Sequence, residues 1–147
     1  MKGMKVLMVV MVVLALFGMV VAPHVAAAQA PAAPVQLTFD KSAVAEGMWE
    51  GTVGGDVDGD LTTVLTALEV RGPIWHVEFD WIVDAGAQSF TAHLSGILNT
   101  NTGKVVMNGN VVDGWLLGAQ VHEEGQLVDP DTLRFQGTIQ IMPETAN

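Results

Sequence analysis

The alternation that decides the fold runs through residues 74–98, which read IWHVEFDWIVDAGAQSFTAHLSGIL. On each side of the turn signal Ala85-Gly86, apolar and polar side chains follow one another with a period of two residues. Trp75 and Trp81 fall on one face of the first segment, and Glu78 falls on the other. A two-residue period is typical of a half-buried strand, so we predict a β-hairpin with an aromatic face in the core.

The predicted hairpin places a histidine against a carboxylate. If polar side chains stay opposite polar side chains, a two-residue loop sets His93 opposite Glu78, and a four-residue loop sets it opposite Asp80. A histidine beside a carboxylate suits proton transfer near neutral pH. We therefore predict His93, Glu78 and Asp80 as catalytic residues of any acid-base chemistry. The alternative is a solvated outer face that merely tolerates these side chains.

The same rhythm extends to both sides of the hairpin, with turn signals such as Asp58-Gly59 and Asp113-Gly114 between the segments. Strand edges must be hidden, and closing the sheet on itself hides them most simply. We predict an all-β fold, a single antiparallel eight-stranded up-and-down β-barrel, with a β-sandwich as the alternative. The predicted strands are 36–40, 47–55, 61–71, 74–84, 88–98, 104–112, 115–125 and 132–141.

The N-terminal segment has the layout of a secretory signal peptide. Lys2 and Lys5 precede an unbroken apolar run over residues 6–21, and Ala28-Gln29-Ala30 offers a small-x-small cleavage site. We predict a signal peptide over residues 1–30, cleavage after Ala30, and a secreted, periplasmic or extracellular protein. The alternative is an uncleaved anchor, which would be the only route to a membrane.

The remaining chain divides into an Ala/Pro linker with the first strand (31–44), the barrel domain (45–143) and a short tail (144–147). Removal of two lysines with the signal peptide changes the formal net charge from −10 to −12, which argues against nucleic acid as a partner. The absence of cysteine excludes disulfides and thiol catalysis. No pattern specifies an oligomeric state.

The candidate ligand-binding residues are two tryptophans and two histidines. Trp49 and Trp115 lie next to strand ends and glycines, where a barrel mouth is expected, whereas Trp75 and Trp81 are predicted as core. His76 and His122 join them as polar candidates. The histidine spacing does not match a metal site, so we predict no metal and no cofactor.

Three short motifs in the later part of the chain resemble a known superfamily. They are NGNV at 108–111, GWLLGA at 114–119 and FQGTI at 135–139. A Gly-x-x-x-Gly-Ala strand and a Phe-x-Gly strand recur in the small barrels of the allene oxide cyclase and dirigent-like superfamily, and the resemblance covers residues 45–142. Calycin-type barrels look much the same. The resemblance implies an apolar cavity that steers cyclisation or coupling of a small organic molecule, but no catalytic residue of that superfamily matches a position here.

Motifs of hydrolase or nucleotide chemistry are absent from the sequence. There is no Gly-x-Ser-x-Gly elbow and no glycine-rich phosphate loop before a helix. We therefore expect a secreted barrel that holds a small apolar ligand, with cyclase-like or isomerase-like activity as what the resemblance implies. The alternative is a non-enzymatic extracellular or cell-envelope domain with a structural or interaction role. A cavity in the barrel interior distinguishes the two.

Overall fold

The computed structural model describes residues 32–144. The predicted signal peptide and the last three residues of the predicted tail lie outside these described residues. The described chain forms eight antiparallel strands and one short 3₁₀ turn, Gly86–Gln88. The strands are β1 (Val35–Ala45), β2 (Met48–Gly55), β3 (Gly59–Arg71), β4 (Ile74–Asp84), β5 (Phe90–Asn99), β6 (Lys104–Gly114), β7 (Gln120–Asp129) and β8 (Arg134–Met142).

The sheet closes on itself. Each strand pairs with its neighbours in the chain, and β1 also pairs with β8 to complete the ring. This confirms the predicted eight-stranded up-and-down barrel, and the alternative β-sandwich is wrong. Closure gives every strand two partners, so no edge remains to pair with another chain.

The β4–β5 hairpin adopts the four-residue-loop register of the two that the alternation allows. Asp80 is the partner of His93, and Val83 is the partner of Phe90. The inward positions of β4 are buried from Val77 onward, and the outward positions are polar or partly exposed. The alternation of the sequence therefore gives the correct face of this hairpin.

Glycines allow the tight curvature where strands approach one another. A Cβ atom on Gly51 would lie 1.8 Å from the carbonyl oxygen of Asp40, and one on Gly109 would lie 1.8 Å from that of His93. No side chain fits at such distances. These two strand-internal glycines are therefore required by the close approach of neighbouring backbones.

The two ends of the barrel interior differ, and we call them the closed end and the open end. The closed end carries the connections after β2, β4 and β6, and the open end carries those after β1, β3, β5 and β7. At the closed end, loop residues Val57 and Ala119 are buried in the core. Trp115 also covers this end, with its ring centroid 6.5 Å from that of Phe90. The closed end is therefore plugged by its own loops.

The β3–β4 hairpin overhangs the open end. Every residue from 66 to 73 is exposed, although this stretch includes the second half of β3. Leu68 pairs with Val77, and Val70 pairs with Trp75, so these side chains share the inward face of the sheet. The hairpin thus carries an apolar inner face beyond the rim of the barrel.

The predicted seventh strand, 115–125, is misplaced. Leu116 and Gly118 have φ values of 60° and 87°, far from the extended backbone of a strand. The segment is a turn, and β7 begins only at Gln120. Trp115 therefore belongs to the loop that covers the closed end.

Two further differences concern the first and last strands. β1 continues to Ala45, beyond the predicted end at residue 40. Leu133, which the predicted strand 132–141 includes, instead lies in the β7–β8 turn with a φ of 48° and an exposed side chain. The predicted first strand ends too early because Lys41 interrupts the apolar pattern at an inward position.

Candidate functional site

The predicted catalytic cluster lies on the outer face of the barrel. His93 Nδ1 is 2.8 Å from Asp80 Oδ1, and His93 Nε2 is 3.5 Å from Glu78 Oε2. The register brings both carboxylates to the same imidazole, because Glu78 and Asp80 share the outward face of β4. All three side chains are more than two-fifths exposed. They are therefore separated from the barrel interior by the sheet itself.

The other two predicted histidines are also on the outside. His122 Nδ1 lies 2.7 Å from Asn108 Oδ1, and its Nε2 lies 3.3 Å from Glu124 Oε1. His76 is exposed on β4 and pairs in register with Glu69. The structure keeps these histidines apart, and residues 32–144 contain no group of three or more histidine and acidic side chains arranged to hold a metal ion.

The two predicted mouth tryptophans occupy opposite ends of the barrel. Trp49 is at the open end, where its Nε1 donates a hydrogen bond to the carbonyl oxygen of Leu133 at 3.0 Å. Its ring makes an edge contact with Phe79, with centroids 5.4 Å apart. Trp115 is at the closed end. Of these two tryptophans, only Trp49 lines the interior cavity at the open end.

The interior of the open end contains a cavity of about 150 Å³. Two of its lining side chains, Leu68 and Leu133, are 47% and 43% exposed. The cavity therefore opens to solvent between the β3–β4 hairpin and the β7–β8 turn. Two charged residues, Lys41 and Glu123, also line it. Its remaining walls are apolar and come from Trp49, Leu65, Trp75, Val77, Phe79, Leu98, Val105, Met107 and Phe135.

Lys41 lies on β1 with its side chain inside the barrel, and only 5% of it is exposed. Its Nζ donates a hydrogen bond to Thr63 Oγ1 at 3.3 Å. Three aromatic rings surround the amine, with centroids 4.3 Å (Trp81), 5.1 Å (Phe79) and 5.5 Å (Phe39) from Nζ. Because aromatic faces attract cations, they replace part of the hydration that the ammonium group loses.

Glu123 lies on β7 and is 1% exposed. Its Oε2 has no hydrogen-bond partner anywhere in the described chain. No salt bridge among residues 32–144 joins it to Lys41, although the two charges interact through space. An acceptor buried without a partner costs about 1–3 kcal/mol, so the cavity holds an unsatisfied polar group.

Burial shifts the proton affinities of the two groups in opposite directions. Desolvation lowers the pKa of Lys41 to about 8, against the attraction of Glu123, which raises it. Desolvation raises the pKa of Glu123 to about 7, against the attraction of Lys41, which lowers it. Since desolvation is the larger cause for both, the cavity contains an amine and an acid that exchange protons near neutral pH.

Sequence reasoning missed Lys41 and Glu123 as buried charges, although the alternation along β1 and β7 indicates that both side chains face inward. Leu37 and Lys41 have the same parity on β1, and Val121 and Glu123 have the same parity on β7. A charged residue at an inward position is rare unless it is paired or functional. Extending the parity argument to these two strands would have placed both charges inside the barrel.

No protein-family model matches the chain, and no curated protein or solved structure matches it either. The resemblance to the allene oxide cyclase and dirigent-like superfamily therefore stays a prediction. Within residues 32–144, no helix has the length and hydropathy needed to cross a membrane.

Proposed function

We propose that this protein binds a small, mainly apolar organic molecule in the cavity at the open end. The observation that supports this proposal is the buried Glu123 carboxylate, which has an oxygen without a partner beside an otherwise apolar space. A ligand with one hydroxyl or carbonyl group would place that group near Lys41 and Glu123. Its hydrocarbon part would contact the aromatic and aliphatic walls.

The size of the cavity limits the ligand. Common ligand pockets have volumes of about 300–1,000 Å³, and an apolar protein cavity of about 150 Å³ is large enough for benzene. A molecule of roughly six to ten non-hydrogen atoms therefore matches the enclosed space. A longer ligand would leave the mouth along the inner face of the β3–β4 hairpin, where Leu68 and Val70 are exposed.

The polar part of the ligand would relieve a cost that the free protein carries. The buried oxygen of Glu123 and the Nζ of Lys41 are short of partners, because Lys41 has a single hydrogen bond to Thr63. A ligand hydroxyl can donate to the carboxylate and accept from the amine. Binding then satisfies groups that folding leaves unsatisfied, and this favours amphipathic ligands over pure hydrocarbons.

The test uses benzyl alcohol as the probe and toluene as its apolar counterpart. Both should quench or shift the fluorescence of the cavity tryptophans, Trp49 and Trp75, and benzyl alcohol should bind about tenfold more tightly, a difference of about 1.4 kcal/mol. Native mass spectrometry of the processed protein gives the stoichiometry, for which we expect one molecule per chain.

A matched pair of variants on β5 distinguishes cavity binding from surface binding. Leu98 lines the cavity, and its neighbour Ile97 lies on the outer face. Leu98→Phe should fill the cavity and weaken benzyl alcohol binding at least about tenfold, whereas Ile97→Phe should leave it unchanged. If neither probe binds, or if both variants bind equally, the proposal is wrong. The alternative role as a non-enzymatic structural or interaction domain would then be favoured.

A further inference from the structure

The described barrel contains two lysines in contrasting environments. Lys104 is exposed at the start of β6, at the open end. Lys41 is buried, and its amine reaches the cavity from β1. A lysine amine becomes nucleophilic when it loses its proton, and an apolar pocket favours the neutral form. The two lysines of one molecule therefore offer a direct internal comparison.

The surroundings of Lys41 hold the amine in one place. Thr63 Oγ1 accepts its hydrogen bond from the side, and the rings of Trp81 and Phe79 approach within 4.3 and 5.1 Å of Nζ. Glu123 lines the same cavity without a salt bridge to Lys41 among the described ion pairs. A small carbonyl group can therefore contact the amine while its oxygen is near the carboxyl group.

We propose that Lys41 forms a reversible imine with a small apolar aldehyde held in this cavity, and that Glu123 moves the protons. The inference rests on the proposed function, because the aldehyde must first occupy the cavity. It adds a chemical class of ligand and a covalent step to that function. Aldehydes are favoured because their single oxygen suits one proton donor, and their carbon presents little bulk to a crowded amine.

The step balances without an oxidant, a reductant or a metal. The lone pair of Nζ attacks the carbonyl carbon, a C–N bond forms, and the carbonyl oxygen takes the proton of the neutral Glu123 carboxyl group. The resulting carboxylate removes a proton from the new ammonium nitrogen and returns it to the hydroxyl group. Water then leaves, and the nitrogen lone pair completes the C=N bond. The products are a protonated imine, a Glu123 carboxylate and one water molecule.

The same site stabilises the product. The protonated imine is a cation at the position of Nζ, where the faces of Trp81, Phe79 and Phe39 surround it. The Glu123 carboxylate supplies the counter-charge inside the barrel. Hydrolysis requires a water molecule in an otherwise apolar space, so we expect the imine to be longer-lived than one formed on an exposed lysine.

The experiment traps the imine by reduction. The processed protein is incubated with benzaldehyde and sodium cyanoborohydride near pH 7.5, digested, and mapped by mass spectrometry. We expect one benzyl group on the peptide that contains Lys41, formed at least about tenfold faster than on Lys104, because the cavity holds the aldehyde beside the Lys41 amine and burial favours the neutral form of that amine. Equal labelling of the two lysines, or labelling at Lys104 alone, would overturn the inference.

Variants test the site, and a second probe separates this inference from the proposed function. Lys104→Arg should leave trapping at Lys41 unchanged. Leu98→Phe should reduce both the trapping at Lys41 and the binding of benzyl alcohol. If benzyl alcohol binds and benzaldehyde is not trapped at Lys41, the imine is wrong and the proposed function stands. If benzyl alcohol does not bind, the proposed function itself is wrong. The comparison of Lys41 with Lys104 within the wild-type chain does not depend on any variant folding.

The role of Glu123 has its own readout. Glu123→Gln keeps the size of the side chain and removes its proton chemistry. Trapping at Lys41 should slow about tenfold or more, and the pH profile of trapping should lose its dependence on ionisation of the carboxyl group, while toluene, which has no polar group to contact Glu123, still enters the cavity. An unchanged rate and pH profile in this variant would show that Glu123 does not move the protons.

Discussion

The closed and open ends of the barrel are built from the same strands and differ in what those strands place inside. On β1, Leu37 is inward at the closed end, and Lys41 is inward four residues later toward the open end. On β7, Val121 and Glu123 show the same contrast. We therefore expect the closed end to contribute more to folding stability than the open end, where two buried charged side chains border a cavity.

The largest expected effect comes from shortening two leucines of β3, one at the closed end of the barrel interior and one at the open end. Leu61 is fully buried at the closed end, and Leu65 is half-buried in the cavity wall. Leu61→Ala should lower the free energy of unfolding by about 2–5 kcal/mol, because it removes apolar contacts and leaves a void. Leu65→Ala enlarges an existing space, and we expect a loss of about 1 kcal/mol or less.

Urea unfolding followed by far-ultraviolet circular dichroism measures both variants on one scale. If Leu61→Ala and Leu65→Ala lower the urea midpoint by the same amount, with an unchanged denaturant slope, the two ends contribute equally to the free energy of unfolding. That result would remove the contrast between the ends. A larger effect at Leu65 would reverse it.

The second prediction concerns the buried charges at the open end. Replacing both groups by apolar side chains of similar size, Lys41→Met with Glu123→Leu, should raise the free energy of unfolding by about 1–4 kcal/mol, because desolvation of the two charges is no longer needed. The Glu123→Leu variant alone should be less stable than the double variant, since it leaves a buried ammonium group without its counter-charge. A double variant less stable than the wild type would show that the pair contributes net stability.

The third prediction is a pH dependence that belongs to the same pair. Because burial raises the pKa of Glu123 from 4.5 to about 7, the native state binds more protons than the unfolded state between these values. Its contribution to stability is present below pH 4.5 and is lost as the pH rises through 7. For Lys41, whose pKa falls from 10.5 to about 8, the contribution is present above pH 10.5 and is lost as the pH falls through 8.

Together these shifts place the least favourable contribution of the pair between about pH 7 and pH 8, with slopes of at most about 1.4 kcal/mol per pH unit on either side. The difference in stability between the wild type and the Lys41→Met, Glu123→Leu double variant isolates this contribution from that of the other carboxylates. The difference should be largest near neutral pH. A difference independent of pH would contradict the protonation changes assigned to the cavity.

Alternation predicted the parts of the barrel in which every inward position is apolar. Trp81 and Leu94 fit the two-residue period, and the hairpin that carries them was predicted with the correct face and one of two allowed registers. The same method ended the first strand at residue 40, because the next inward residue is Lys41. Parity indicates that Lys41 and Glu123 each face inward, but a local pattern contains no information about a partner on a distant strand. That the two charges share one cavity became visible only when closure brought β1 and β7 into one interior.

The seventh strand shows a different limit of the sequence. Residues 114–119 contain enough apolar side chains for a strand, but two glycines and Leu116 adopt positive φ values and form a turn. The backbone of this turn is held by hydrogen bonds such as that from the Trp115 amide to the Ser89 carbonyl oxygen at 2.9 Å. This contact joins loops that are distant in sequence, so its effect on the local backbone could not be read from the segment alone.

The smallest expected effect is at the outer face, in His93→Gln. His93 is separated from the cavity by the sheet, and its contacts with Asp80 and Glu78 are exposed to solvent. Exposed ion pairs contribute little, so the free energy of unfolding should change by no more than about 0.5 kcal/mol, and benzyl alcohol should bind as in the wild type. The matched change inside the barrel, Glu123→Gln, should alter trapping of benzaldehyde at Lys41. If His93→Gln instead slows that trapping and Glu123→Gln does not, the proton-transfer site is the outer cluster predicted from the sequence, and the contrast between the two ends loses its functional meaning.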